Sequence, residues 1–233
     1  MTKNLYSNNN KILFLGRKND KYSKQVYNFI KRNVRDTKAI WSKYPKEKKK
    51  HRFFYKKYDY IISFRSYYIL NKKILNNAKK AAINFHPSIP KYRGFGCLNY
   101  AIYNNEKFYG CTAHLMSEKI DNGQILDVIK FKILPKQTLS DILEKTYKKQ
   151  VFQVKKIVRS IIINNRSTEK LINKSKKERW GKKIGNKIKL DKFYQIELKQ
   201  SEAKILKKLR ATLLKKGNFS PYILYDKKKY FIN

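Results

Sequence analysis

An amide, an imidazole and a carboxylate in the middle of this chain are the residue types that can move a proton and steady a developing negative charge. Asn84 and His86 stand two residues apart in Ile83-Asn84-Phe85-His86-Pro87. In an extended strand that spacing places both side chains on one face and Phe85 on the other. Pro87 and Pro90 stiffen the loop that follows, and Gly94 allows a tight return into the next helix. Asp121-Asn122-Gly123 falls on the connection after the next strand. A carboxylate there can orient His86 and favour its charged form, as the third member of a catalytic triad does. The residue types alone leave a second reading open: two polar residues at a strand end and an Asp that caps a turn.

These side chains need a scaffold that displays strand ends. Ile12-Leu13-Phe14-Leu15 reads as a buried first strand closed by Gly16. Residues 22–34 carry Val26, Phe29, Ile30 and Val34 at helical spacing. Short apolar runs at 39–41, 58–64 and 81–85 read as the next three strands, with a short helix at about 72–79. Two more strands are expected at 110–116 and 124–133. A long amphipathic helix spans 138–164, its N-cap either Thr138 or Ser140. A Lys-rich irregular stretch covers 167–190, a helix 201–214, and a hairpin closes the chain around Tyr222-Ile223-Leu224-Tyr225 and Tyr230-Phe231-Ile232. The alternation predicts an α/β fold: a Rossmann-like, mostly parallel sheet with helices on both faces, plus a small C-terminal helix and β-hairpin. Such sheets bind ligands beyond the carboxyl ends of their strands, where Asn84 and His86 stand. The expected division is a catalytic domain at 1–190 and a C-terminal subdomain at 191–233.

The 233 residues include 57 Lys+Arg against 16 Asp+Glu, a formal net charge of +41. With 41% hydrophobic and 14% aromatic residues the chain can bury a core, which excludes a mostly disordered basic protein. The charge raises a nucleic-acid partner. Against it, 47 of the cations are Lys and ten are Arg, dispersed along the chain with abundant Asn, Ile and Tyr, a profile of drift toward AT-rich codons. Phosphate readers favour the Arg fork. The run at 46–52 reads as a solvated loop or helix face. No apolar stretch approaches the roughly 18–20 residues that cross a bilayer, and the opening lacks a signal-peptide core. Cys97 and Cys111 make neither a disulfide framework nor a metal pattern, and read as thiols in a reducing cytoplasm.

Asn84-Phe85-His86-Pro87, Tyr92-Arg93-Gly94, Asn99-Tyr100-Ala101-Ile102, Thr112-Ala113-His114-Leu115-Met116 and Ile120-Asp121-Asn122-Gly123 occur in the order seen in N10-formyltetrahydrofolate-dependent formyltransferases. The chain resembles that family most strongly over residues 58–133. The resemblance implies a catalytic set of Asn84, His86 and Asp121, a folate co-substrate and no metal. An amine would attack the formyl carbon while Asn84 and a protonated His86 donate to the formyl oxygen, and Asp121 would help move the amine's proton. It further implies a pterin lying against backbone at Phe64, Arg65, Tyr68 and Ile69 and around Met116, Glu118 and Ile120. Pro87, Ser88, Tyr92, Arg93, Gly94 and Tyr222 are then candidates for the acceptor substrate. His114 fills a position the family often gives to His; inside a strand, a structural role is the favoured reading for it.

Within the resemblance, Ser88 and Pro90 flank one residue, so the loop is shorter than the His-Pro-Ser-Leu-Leu-Pro form of tRNA-acting members. Gly94-Phe95-Gly96-Cys97 is similar to the sugar-modifying branch. Leu209-Arg210-Ala211 resembles the element that opens a tRNA-binding barrel, yet 22 residues follow Ala211. The purine-pathway branch has a phosphate-gripping first loop that is missing after Leu15. The expected activity is N-formylation of a dTDP- or GDP-linked 4-amino-4,6-dideoxyhexose for surface glycans, by a cytoplasmic homodimer. Methionyl-tRNA and glycinamide ribonucleotide formylation remain alternatives, as does a non-catalytic RNA-binding protein on the same fold.

Overall fold

The structure is a computed structural model that describes residues 9–43, 51–214 and 220–232. Residues 46–50 of the basic run lie outside them; its last two, His51 and Arg52, begin a 3-10 turn at Arg52–Tyr55.

Six strands form the central sheet. In chain order the elements are β1 (Ile12–Arg17), α1 (Lys21–Asn33), β2 (Thr37–Ser42), β3 (Tyr58–Phe64), α2 (Lys72–Leu75) and β4 (Ala78–His86). They continue with β5 (Arg93–Gly94), α3 (Cys97–Tyr103), β6 (Phe108–Leu115), β7 (Ile125–Lys132) and α4 (Leu139–Val158). The sheet order is β2-β1-β3-β4-β6-β7. The first four strands run parallel, whereas β6 is antiparallel to β4 and β7 to β6. The sheet is thus mostly parallel, as expected from the sequence.

β1 is buried on both faces, so its pattern is a continuous apolar run rather than an alternation. Ile12, Phe14, Ile62, Ile83 and Phe85 face α1 and α4 in one core. Leu13, Leu15, Ile40 and Ile61 face the other way, under Phe54, Tyr58 and Leu70. That second face is covered by the short 3-10 turn and the four-residue α2 rather than by long helices.

Thr138 is the N-cap of α4: its hydroxyl accepts from Asp141 N at 3.2 Å, and the Asp141 carboxylate accepts from Thr138 N at 2.9 Å. This reciprocal pair settles the choice between Thr138 and Ser140. The helix gives way to a π turn at Arg159–Ile163. The stretch expected to be irregular holds α5 (Thr168–Lys174), β8 (Ile184–Gly185) and α6 (Lys187–Tyr194). Their short apolar spacings are masked by lysines. α7 (Glu202–Thr212) and the hairpin of β9 (Tyr222–Tyr225) and β10 (Lys228–Phe231) follow. The division expected at 190 falls inside α6, whose Leu190 packs with Tyr194 and Tyr222. The same region is tied to α3 by Asn99, which donates to the Ala211 carbonyl at 2.7 Å and to Tyr194 Oη at 3.0 Å.

Candidate active site

Asn84 and His86 close β4, and the pleat aims both at one face while Phe85 is buried in the core opposite. β6 pairs with this end in a fixed register, Asn84 beside His114 and His86 beside Thr112. Because β6 runs antiparallel, it leads away from the carboxyl edge instead of ending beside it. The loop 116–123 brings Asp121 back. Asp121 takes a left-handed backbone, φ 45°. Gly123 packs so closely that a Cβ would sit 1.7 Å from the Leu115 carbonyl oxygen, which only glycine permits.

The three side chains converge. His86 Nδ1 lies 3.3 Å from Asp121 Oδ2. Asn84 Nδ2 lies 3.5 Å from Asp121 Oδ1 and donates to His114 Nε2 at 3.1 Å. His114 Nδ1 donates to the Leu115 carbonyl at 2.7 Å, which leaves Nε2 as the acceptor for that amide. His114 therefore touches both Asn84 and Asp121, a closer part in the site than a strand-interior packing role.

His86 Nε2 donates to the Tyr92 carbonyl at 2.8 Å. That bond fixes one proton on Nε2 and leaves Nδ1, facing Asp121, as the nitrogen that can gain another. Burial pushes the His86 pKa below its usual value, against the pull of Asp121 and of the Tyr92 carbonyl. For Asp121, burial alone would act upward. The charge that His86 takes up in acid and the Gly94 N–H at 3.0 Å outweigh it and hold the carboxyl low, at about 2. Cys97 Sγ lies 3.8 Å from His86 Nε2, but burial pushes that thiol upward, so it is not a thiolate nucleophile.

A cleft of about 280 Å³ opens over this cluster. Its walls include Arg65, Tyr68, Ile69, Met116, Glu118 and Ile120, with Pro87 and Gly94 beside His86 and Asp121. Phe64 is fully buried in the core and can offer only main chain. Ser88 is also fully buried, and its carbonyl accepts from Thr112 Oγ1 at 2.7 Å. Tyr92 and Arg93 line a neighbouring cavity of about 740 Å³ with Lys182, Lys183 and Lys189. Arg93 spends its guanidinium on the scaffold, donating to the Asp121, Ile120 and Gly181 carbonyls at 2.6, 2.8 and 3.2 Å. It clamps the loop that carries Asp121 rather than reaching for a ligand. Tyr222 is remote from this group, buried among Leu190, Tyr194 and Phe193, its hydroxyl on the Asp191 carbonyl at 3.3 Å.

Sequence reasoning missed Trp180 and Arg17. The Trp180 ring meets His114 edge-on at 5.0 Å and His86 at 6.0 Å, centroid to centroid. Arg17 lines the cleft and stacks over Tyr67 at 4.5 Å. The signal for Trp180 was the Trp180-Gly181 pair ahead of Arg210-Ala211, which the resemblance assigns to the C-terminal tail and not to the site. Among the described residues no group of three or more His, Cys, Asp or Glu is placed to hold a metal ion.

Two kinds of relative bear on this site. Over 107 residues the chain is 37% identical to the Bifunctional polymyxin resistance protein ArnA of Wigglesworthia glossinidia brevipalpis, covering 46% of this chain and 16% of that protein. Over 88 residues it is 41% identical to the Methionyl-tRNA formyltransferase of Clostridium tetani, covering 37% of this chain and 28% of that one. The chain thus spans less than a third of the length of these curated relatives. Among solved structures, a sugar N-formyltransferase from Shewanella sp FDAARGOS_354 superimposes with a TM-score of 0.76 at 20% identity, covering 95% of this chain and 96% of that one. An N-formyltransferase from Helicobacter canadensis, in complex with folinic acid and dTDP-3-aminofucose, gives 0.68 at 20% identity over 94% and 85%. These last two likenesses establish the fold. The sequence pattern of the formyl transferase family matches residues 5–161, two thirds of the chain, and the protein belongs to that family.

Proposed function

We propose that this protein transfers a formyl group from N10-formyltetrahydrofolate to the amine of a nucleotide-linked amino-deoxysugar. The convergence of Asn84, His86 and Asp121 at the foot of an open cleft carries this reading. The cleft suits its donor: Tyr68, Ile69, Met116 and Ile120 give apolar wall for a pterin, Arg17, Arg65 and Glu118 add polar groups beside it, and Asn84, His86 and Asp121 stand at the end where the formyl carbon would lie.

The chain's own groups divide the work. The amine nitrogen bonds to the formyl carbon, whose bond to the folate nitrogen breaks, and the Asn84 amide donates to the oxygen where negative charge gathers. His86, kept neutral by burial rather than protonated as the resemblance implied, takes the amine's proton at Nδ1, and Asp121 stabilises the imidazolium that results. The folate nitrogen receives that proton from the His86 imidazolium as it leaves, which returns His86 to its neutral form.

The acceptor's diphosphate fits the cavity beyond Tyr92, where Lys182, Lys183 and Lys189 gather within reach of the catalytic loop. A 4-amino-4,6-dideoxyhexose on dTDP or GDP is the acceptor of choice, and surface-glycan assembly its destination. The solved relatives support a sugar over a tRNA: they share nearly the whole fold, whereas the tRNA-acting relatives match over a short span. We further propose a homodimer, with the exposed Leu224, Tyr225, Tyr230 and Phe231 of the hairpin covered by a second copy. The free thiols of Cys97 and Cys111 fit a cytoplasmic setting, and no helix among the described residues is long and apolar enough to cross a membrane.

The test is incubation with the formyl donor and a panel of nucleotide amino-sugars, read by mass spectrometry for the gain of one CO. Formylation of charged methionyl-tRNA with no amino-sugar product would overturn the reading.

A further inference from the structure

The stretch 180–185 lies outside the region matched by the family pattern, yet it is bonded to the loops around the cluster and its aromatic ring faces His86 and His114. Trp180 Nε1 donates to the Gly123 carbonyl at 2.7 Å, at the turn that follows Asp121. Gly181 N donates to the Pro90 carbonyl at 2.9 Å, and a Cβ at Gly181 would sit 2.1 Å from the Lys91 carbonyl oxygen. The Gly181 carbonyl accepts from Arg93, the residue that also holds the carbonyls of Ile120 and Asp121. Three residues further on, β8 pairs with β5, and Phe95 N donates to the Gly185 carbonyl at 3.0 Å. The strap therefore joins the loop after β4 to the loop after β6, with one aromatic ring set against both imidazoles.

We infer that Trp180 is a positioning residue for formyl transfer: its ring keeps water from His86 and His114, and its N–H holds the turn that aims Asp121. This rests on the reading above, in which neutral His86 accepts the amine's proton. The groups that face His86 are Asp121 at Nδ1, the Tyr92 carbonyl at Nε2, Cys97 from α3, Arg93 from β5 and His114 from β6. None of these supplies an apolar cover; Trp180 does. An indole at this place raises the cost of charging the imidazole, and removing it lets water stabilise the charged form.

The test compares Trp180→Ala and Trp180→Phe with the parent in the full-length chain. The His86 titration is followed by NMR without substrate, and kcat/KM is followed against pH. In Trp180→Ala, His86 is expected to titrate about one pH unit higher, and the acid limb of kcat/KM moves up with it. Trp180→Phe keeps the ring and loses the bond to Gly123, so His86 titrates as in the parent while kcat falls several-fold. If Trp180→Ala does not fold, the Phe variant still decides. Parent-like kcat there, or a His86 titration unmoved in a folded Trp180→Ala protein, overturns the inference. The titration needs no turnover, so a parent protein that formylates nothing would defeat the proposed function while leaving Trp180 to be judged on its own.

Discussion

His86 has one nitrogen left to work with, because its Nε2–H is held by the Tyr92 carbonyl. Replacing His86 by Asn removes the proton acceptor, and kcat should fall roughly 10²–10⁴-fold with the fold intact; near-normal turnover would defeat the mechanism. Burial lowers the His86 pKa, so the neutral form persists to more acid pH than for a free imidazole. The acid limb of kcat/KM should therefore lie below the free-histidine value of about 6.5. A limb at or above that value in a pH–rate profile would contradict it. Stability follows the same sign. The unfolded chain takes up the His86 proton more readily than the folded one, so stability from this group declines as pH falls below the unfolded value. Asp121 adds its own loss as pH falls from the unfolded carboxyl value of about 4 down through about 2. Arg93 acts by geometry. Lysine in its place keeps the charge but not the fork, so Arg93→Lys should free the Asp121 loop, lowering both the thermal midpoint and kcat, measurable by calorimetry and initial rates.

At the scale of elements, the loop 116–123 is the sensitive part. Gly123→Ala forces a Cβ against the Leu115 carbonyl, which should cost about 1–3 kcal/mol of stability and depress kcat more than tenfold by displacing Asp121. Thr138→Ala offers a contrast. It removes the reciprocal cap of α4 and should cost about 1 kcal/mol in a urea titration while turnover stays at the parent level. The same contrast explains what was legible in the sequence. The strands that carry the site announce themselves through apolar runs, and 58–64 was read to its observed limits at Tyr58–Phe64. That Asn84, His86 and Asp121 come together was legible because strand alternation and a turn motif constrain them locally. The surroundings of Arg93, Trp180 and Tyr222 were not legible because they depend on where residues far along the chain come to rest. The direction of β6 belongs with these: no residue in 108–115 encodes whether a strand runs with or against its neighbour.

Across the whole molecule the dominant property is a net charge of +41. If this field merely draws in an anionic sugar nucleotide, turnover at saturating substrate should change little between low and physiological salt. Adventitious polynucleotide binding, by contrast, should drop by about 10³ or more over that range. Filter binding and steady-state rates in the same buffers separate the two. The exposed aromatic hairpin supplies the other whole-molecule expectation: sedimentation should give twice the chain mass, shifting toward the monomer in Tyr225→Lys.

The strap at 180–185 carries a consequence for biosynthesis. Every strand of the central sheet, and the long helix over it, is complete by residue 163, before Trp180 has been translated. A nascent chain arrested there can fold its sheet and still hold both imidazoles open to water. If Trp180 acts as inferred, competence is gained late, when the ribosome releases a stretch that belongs to no strand of the sheet. Pulse-labelled chains halted before and after Trp180 should differ in histidine accessibility to diethyl pyrocarbonate though not in protease-resistant core.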